Sequence, residues 1–220
     1  MSTLLLLGAT GQVGHQLLNA ALAHPAVTQV VAPTRRPLAA HPKLLNPKVD
    51  FSDLPERAAW WTADAACSAL GTTLRQAGSA EAFEAIDRGH VLAAARLTRA
   101  AGTPCFVNNS SMGANPRARG LYLRVKGLLE QDLDGLGFLS VCHVRPSLLD
   151  GGPRPDSRPG ERAGLWLAHT LAPLIPARYQ AIKTEAVAQA MLQAALAARP
   201  GVQVIESDAL QLLPQATQMA

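Results

Sequence analysis

Aromatic residues are scarce in this chain of 220 residues: two tyrosines, three tryptophans and four phenylalanines, 4% of the total. Lysine is scarce beside arginine, four against sixteen, so the net charge of +4 is a guanidinium charge. A basic chain without interleaved aromatics, and without an RNA- or DNA-reading motif, does not read as a nucleic-acid binder. Cysteine is equally thin. Cys67, Cys105 and Cys142 cannot all pair, and no Cys-x-x-Cys or histidine cluster accompanies them. They read as reduced, buried thiols rather than disulfides or metal ligands. His15, His24, His41, His90, His143 and His169 show no metal-ligand spacing either. No apolar run approaches about 20 residues, the length a helical membrane span needs. Leu4–Leu7 is too short for a signal peptide and lacks a basic leader. The expectation is a cytoplasmic protein with no membrane partner. With 48% apolar and 16% charged residues, the chain has the balance of a globular protein rather than a disordered one.

What the chain does carry begins at its first residues. Leu4 to Leu7 run straight into Gly8-Ala-Thr-Gly-Gln-Val-Gly14, and the apolar residues of 12–23 then fall at helical spacing. Strand, glycine turn and helix in that order suit a dinucleotide site. Gly8 allows the sharp turn, Gly11 lets a pyrophosphate approach the backbone, and Gly14 lets the helix pack on the sheet. Thr10, Gln12 and Val13 complete the turn, where unpaired N–H groups and the helix dipole favour phosphate. An ordinary β-α turn is the competing reading.

Beyond it, short apolar runs alternate with amphipathic helices. Strands are expected at 3–7, 28–32, 48–51, 65–70, 105–108, 139–144 and 202–205, and helices at 12–23, 80–101, 120–134, 161–174 and 184–198. This predicts an α/β fold: a Rossmann-like doubly wound parallel sheet with a small helical C-terminal part. The proline- and glycine-rich stretch Asp150–Gly160 separates a core over 1–150 from an extension of the same domain over 151–220.

Three further features carry chemistry. After the second strand an NAD site usually has an acidic residue for the ribose 2′-hydroxyl. Here Pro33-Thr34-Arg35-Arg36 follows instead, and a guanidinium fork fits the 2′-phosphate of NADP. Arg35 and Arg36 therefore favour NADP(H) over NAD(H), with a solvated arginine pair as the alternative. The turn Leu70-Gly71-Thr72 ends a strand on the edge where ligands bind in such sheets. Each tyrosine has a lysine four residues on: Tyr122 with Lys126, and Tyr179 with Lys183. On a helix that spacing shares one face, and a nearby cation favours a phenolate whose free pKa is about 10. Tyr122 is the better placed, because it follows a strand ending in Asn108-Asn109-Ser110-Ser111. Trp60-Trp61 reads as packing on the sheet, with cover for a partner surface as the alternative. Arg117, Arg119 and Arg124 read as a solvated face or as an attractor for an anionic substrate.

Taken together, Gly-Ala-Thr-Gly-Gln-Val-Gly (8–14), Ala-Leu-Gly-Thr-Thr (69–73), Asn-Ser-Ser-Met-Gly-Ala (109–114), Tyr-Leu-Arg-Val-Lys (122–126) and Val-Arg-Pro-Ser (144–147) resemble the short-chain dehydrogenase/reductase superfamily. The likeness is to its atypical single-domain branch, the Tat-interacting-protein-like and NmrA-like proteins, along nearly the whole chain. The resemblance implies Tyr122 as general acid, Lys126 holding the nicotinamide ribose, and Ser111, or alternatively Ser110, hydrogen-bonding the substrate carbonyl. It also implies that Arg145-Pro146 passes beside the nicotinamide. The Ser-to-Tyr gap is shorter than in classical members, and the part after the sheet is shorter than in sugar-nucleotide epimerases. The function expected is an NADPH-dependent oxidoreductase acting on a small carbonyl compound. An NADP(H)-binding regulatory protein, or an epimerase, is the alternative. Nothing in the chain fixes an oligomeric state.

Overall fold

Leu4, Leu5, Leu6 and Leu7 are all buried, and they alternate between two separate cores. A strand covered on both faces is a continuous apolar run for this reason, since a half-exposed one would alternate with polar residues. The computed structural model describes residues 2–150 and 179–212. The expected helix over 161–174, and most of the stretch 150–160, lie outside them.

β1 (Ser2–Leu7) leads through the glycine turn into α1 (Gln12–Ala23), followed by β2 (Val27–Val31) and a short β3 (Leu44–Leu45). After β4 (Ala65–Ser68) come α2 (Leu74–Ala77) and α3 (Ala80–Glu84), then a π-helical turn (Ala85–His90) and α4 (Val91–Ala100). β5 (Cys105–Asn109), α5 (Leu121–Asp134) and β6 (Ser140–Arg145) complete the middle. β7 (Leu149–Asp150) and β8 (Ile182–Lys183) pair with each other; α6 (Thr184–Ala197), β9 (Gly201–Glu206) and α7 (Ser207–Gln211) follow.

Seven strands form one parallel sheet in the order β3-β2-β1-β4-β5-β6-β9. The expected Rossmann-like doubly wound architecture is present. One face carries α1 and α6, where Leu4, Leu6, Leu17 and Ala21 share a core with Val187, Met191 and Leu192. The other carries α4 and α5, where Leu5, Leu7 and Phe106 meet Val91, Ala95, Leu129 and Leu133. Strand order reverses between β1 and β4, so the turns after these two strands part and leave a crevice at their carboxyl ends, the place where ligands bind in such sheets.

Two expectations change. The strand foreseen at 48–51 is replaced by β3 at Leu44–Leu45, because Pro47 lacks a ladder donor and interrupts the run. Beyond it Thr34 and Lys48 still bridge and the Val49 amide donates to the Thr34 carbonyl, while Val49 and Phe51 are buried outside any strand. The single helix foreseen over 80–101 is divided by the π turn.

Candidate active site

The glycine turn closes on itself. Gly8 has φ +85°, and a Cβ there would lie 2.6 Å from the Leu70 amide nitrogen. A Cβ on Gly14 would lie 2.0 Å from the Gly8 carbonyl oxygen. Both glycines are demanded by the protein itself. Gly11 differs: its imagined Cβ meets nothing closer than the Gly8 oxygen at 3.4 Å, and the residue is exposed at the N-cap of α1. The space beside Gly11 is therefore open to a ligand, at a helix end whose first N–H groups have no intrahelical acceptor. Thr10 is exposed beside it, Gln12 is half-buried, and the Val13 side chain turns into the core.

A narrow cleft runs from Gly8 and Thr10 past Leu70 and Phe51 to Pro33, Thr34, Arg35 and Arg36. The structure thus joins the arginine pair to the glycine turn, with both guanidinium residues exposed. Their loop is held from beneath by Asn46, which donates to the Ala32 carbonyl and the Thr34 hydroxyl and accepts from the Leu38 amide. Asp50 lies within electrostatic range of Arg35. Hydrogen bonds from the Ser52 side chain and amide hold its carboxyl below the ordinary value, helped by His90 and Arg35. Burial lowers the pKa of His90, which stacks on Phe51. No acid follows β2 directly in the sequence; this one arrives from the loop after β3.

The catalytic candidates assemble on the same edge. Ser110 donates its backbone N–H to the Val144 carbonyl and Met112 to that of Pro146, so the serine segment runs beside the Arg145-Pro146 turn. The Ser110 hydroxyl is sealed from the surface and has no hydrogen-bond partner among the described residues. Ser111 is half-buried, the more exposed of the two. The Asn115 amide donates to the Leu123 carbonyl, tying this segment to the first turn of α5. Tyr122 and Lys126 share a face of α5, with the ammonium 5.9 Å from the centre of the Tyr122 ring. Lys126 is 5% exposed and forms an ion pair with buried Asp87 at 2.9 Å. The Asp87 carboxylate also accepts the Thr72 amide at 2.7 Å. Lys126 therefore acts on Tyr122 as one half of a dipole, a weaker field than an isolated cation exerts. The Arg145 guanidinium is engaged by Glu130 on both carboxylate oxygens and by Glu206. These contacts, Glu130 first, raise its pKa above an already high value. The second pair separates: Tyr179 lies before β8 and Lys183 within it, so no helix face joins them.

No model of a known protein family matches the chain. Individual relatives do. HTATIP2 of Rattus norvegicus is 36% identical over 195 residues, 85% of this chain and 78% of that protein. The mitochondrial protein fmp52 of Aspergillus clavatus is 32% identical over 219 residues, 94% of this chain and 90% of that protein. The chain belongs to the Fmp52/HTATIP2 family. That places it in the NmrA-like atypical branch of the short-chain dehydrogenases/reductases. Solved structures agree on the fold. MoeE5 in complex with UDP-glucuronic acid and NAD superposes with a TM-score of 0.71 at 18% identity, covering 93% of this chain and 76% of that one. The oxidoreductase ylbE from Lactococcus lactis gives 0.66 at 15%, covering 96% of both chains.

Membership of the Fmp52/HTATIP2 family corrects one expectation. The cytoplasmic assignment is overturned, because relatives from Aspergillus fumigatus, Candida albicans and Emericella nidulans are named mitochondrial. The three cysteines are free and buried, which by itself does not distinguish one compartment from another. Among the described residues no helix is long and apolar enough to cross a membrane, and no group of side chains is arranged to hold a metal.

Proposed function

We propose that this member of the Fmp52/HTATIP2 family is an NADPH-dependent reductase of small carbonyl compounds. The observation that carries the reading is the cleft joining the glycine turn to Arg35 and Arg36. Gly11 and the N-terminus of α1 beside the cleft would hold the pyrophosphate of a dinucleotide, and the exposed Arg35 and Arg36 its 2′-phosphate. When bound, reduced nicotinamide supplies the hydride. Tyr122 gives the phenolic proton to the carbonyl oxygen of the substrate, and the Ser111 hydroxyl hydrogen-bonds that oxygen as charge develops on it. Lys126 holds the ribose hydroxyls.

The test is a fluorescence titration with NADPH and NADH, followed by Tyr122→Phe. The protein is expected to bind NADPH more tightly than NADH, and Arg35→Ala with Arg36→Ala to remove that preference. Tyr122→Phe is expected to keep NADPH affinity and lose turnover by about 100-fold or more, the share of a general acid. Equal weakening of both cofactors by the arginine changes sinks the 2′-phosphate assignment. One observation favours a second reading, a cofactor-binding regulator with little turnover: Asp87 neutralises the cation beside Tyr122. On that reading Tyr122→Phe changes no reaction rate.

A further inference from the structure

Asp87 is 1% exposed, more deeply buried than Glu130 at 5%. A carboxylate so far from water needs its partners, and both of its partners are residues of the candidate site. One oxygen meets the Lys126 ammonium at 2.9 Å, and the other accepts the Thr72 amide at 2.7 Å. Three separate elements converge on it: the π turn that carries it, the loop after β4, and α5. The loop lies directly against the pair. A Cβ on Gly71 would come within 3.1 Å of the Asp87 carboxylate and 3.6 Å of the Lys126 nitrogen.

The helix that carries Asp87 also supports Tyr122. Phe83, one turn earlier and buried, packs against the Tyr122 ring with centroids 6.0 Å apart. Phe83 and Asp87 are spaced by four residues, as are Tyr122 and Lys126, so the two helices match rung for rung. The match falls where the helix widens into its π turn, a distortion frequent at functional sites.

We propose that Asp87 is the positioning residue of this site, locking the Lys126 side chain and the Thr72 loop into one unit and so setting the affinity for a nicotinamide ribose. The inference deepens the nicotinamide reading above and rests on it. A structural staple, holding α5 to its neighbour without bearing on the ligand, is the competing account. The two differ in how effects combine. If Asp87 acts through Lys126, losing both side chains costs the ligand no more than losing the lysine alone.

The experiment is an NADPH titration of the wild type, Asp87→Asn, Lys126→Met and the double variant, with thermal melts to confirm folding. Each single change is expected to weaken NADPH by about tenfold or more, the scale of one charge-assisted hydrogen bond. The double variant is expected to stay within about twofold of Lys126→Met. A lower melting temperature with unchanged affinity in Asp87→Asn overturns the proposal, and so do losses that simply multiply. Should Asp87→Asn fail to fold, Asp87→Glu keeps the charge and displaces it by one methylene; unchanged affinity there overturns the proposal equally.

A second readout needs no cofactor. The chain has four lysines, so the side-chain ε-methylene signals in ¹³C-lysine spectra are few, and Lys126→Met assigns the one of interest. Its two ε protons are expected to be inequivalent in the wild type and to merge in Asp87→Asn. Persistence of the splitting in the variant shows that Asp87 does not hold the lysine. If the wild type binds neither NADPH nor NADH, the nicotinamide reading is what fails, and the affinity claim for Asp87 falls with it; the lysine spectrum then decides separately whether the lock exists.

Discussion

A methyl group on Gly14 would sit 2.0 Å from a carbonyl oxygen in the adjoining turn, whereas one on Gly11 would meet its nearest protein atom at 3.4 Å. The same substitution should therefore do opposite things three residues apart. Gly14→Ala is expected to lose several kcal/mol, since backbone on both sides must shift; circular dichroism melts would show it as a large fall in melting temperature. Gly11→Ala is expected to melt within a few degrees of the wild type and to lose NADPH binding, because the methyl fills space that only a ligand would use. A Gly11→Ala protein that still binds NADPH normally would mean the turn is architecture alone. The pair separates three glycines at equal spacing, two required by packing and one spared by it. The motif itself suggests turn, phosphate approach and packing for Gly8, Gly11 and Gly14 in that order; what it does not record is which atoms each missing Cβ would meet, and for Gly14 that is the Gly8 carbonyl.

Among the elements, α5 is the hub, and it presents Tyr122, Lys126 and Glu130 at four-residue intervals. Glu130 is almost fully buried and grips Arg145 at the end of β6, which in turn reaches Glu206 at the end of β9. Glu130→Gln leaves a partly buried guanidinium with half its partners. It is expected to destabilise the fold by about 3 kcal/mol, read from the urea midpoint, with NADPH affinity largely kept. Much of this level was legible in the chain. α1 was legible to the residue because a glycine turn opens it and its apolar face repeats cleanly. The strands near Leu4, Ala65, Cys105 and Val141 were legible because buried parallel strands are unbroken apolar runs. β3 was not, since Pro47 moves the pairing upstream of Val49 and Phe51 while leaving both buried. The π turn was hidden because the apolar spacing of 80–101 looks like one helix. Asp87 was hidden with it: an aspartate inside a helix reads as solvated until a distant lysine is seen against it.

At the scale of the whole molecule, the sheet seals its thiols. Cys67, Cys105 and Cys142 stand on three neighbouring strands, all facing the core beneath α1 and α6. Burial raises the pKa of each, that of Cys142 to about 11. Native protein at neutral pH is expected to leave all three unreacted with a thiol reagent over minutes, and guanidinium-unfolded protein to show three; rapid native labelling would mean that this side of the sheet opens readily. The same core has a history in time. The glycine turn and α1 belong to the first two dozen residues, yet they share their apolar cluster with α6, and Gln16 hydrogen-bonds Glu185 across that contact at 2.9 Å. A ribosome therefore delivers α1 well before α6, its outer cover. In the interval the apolar face of α1 waits, unsheathed, for a segment not yet translated, and a chaperone that shields nascent apolar surface would have work there.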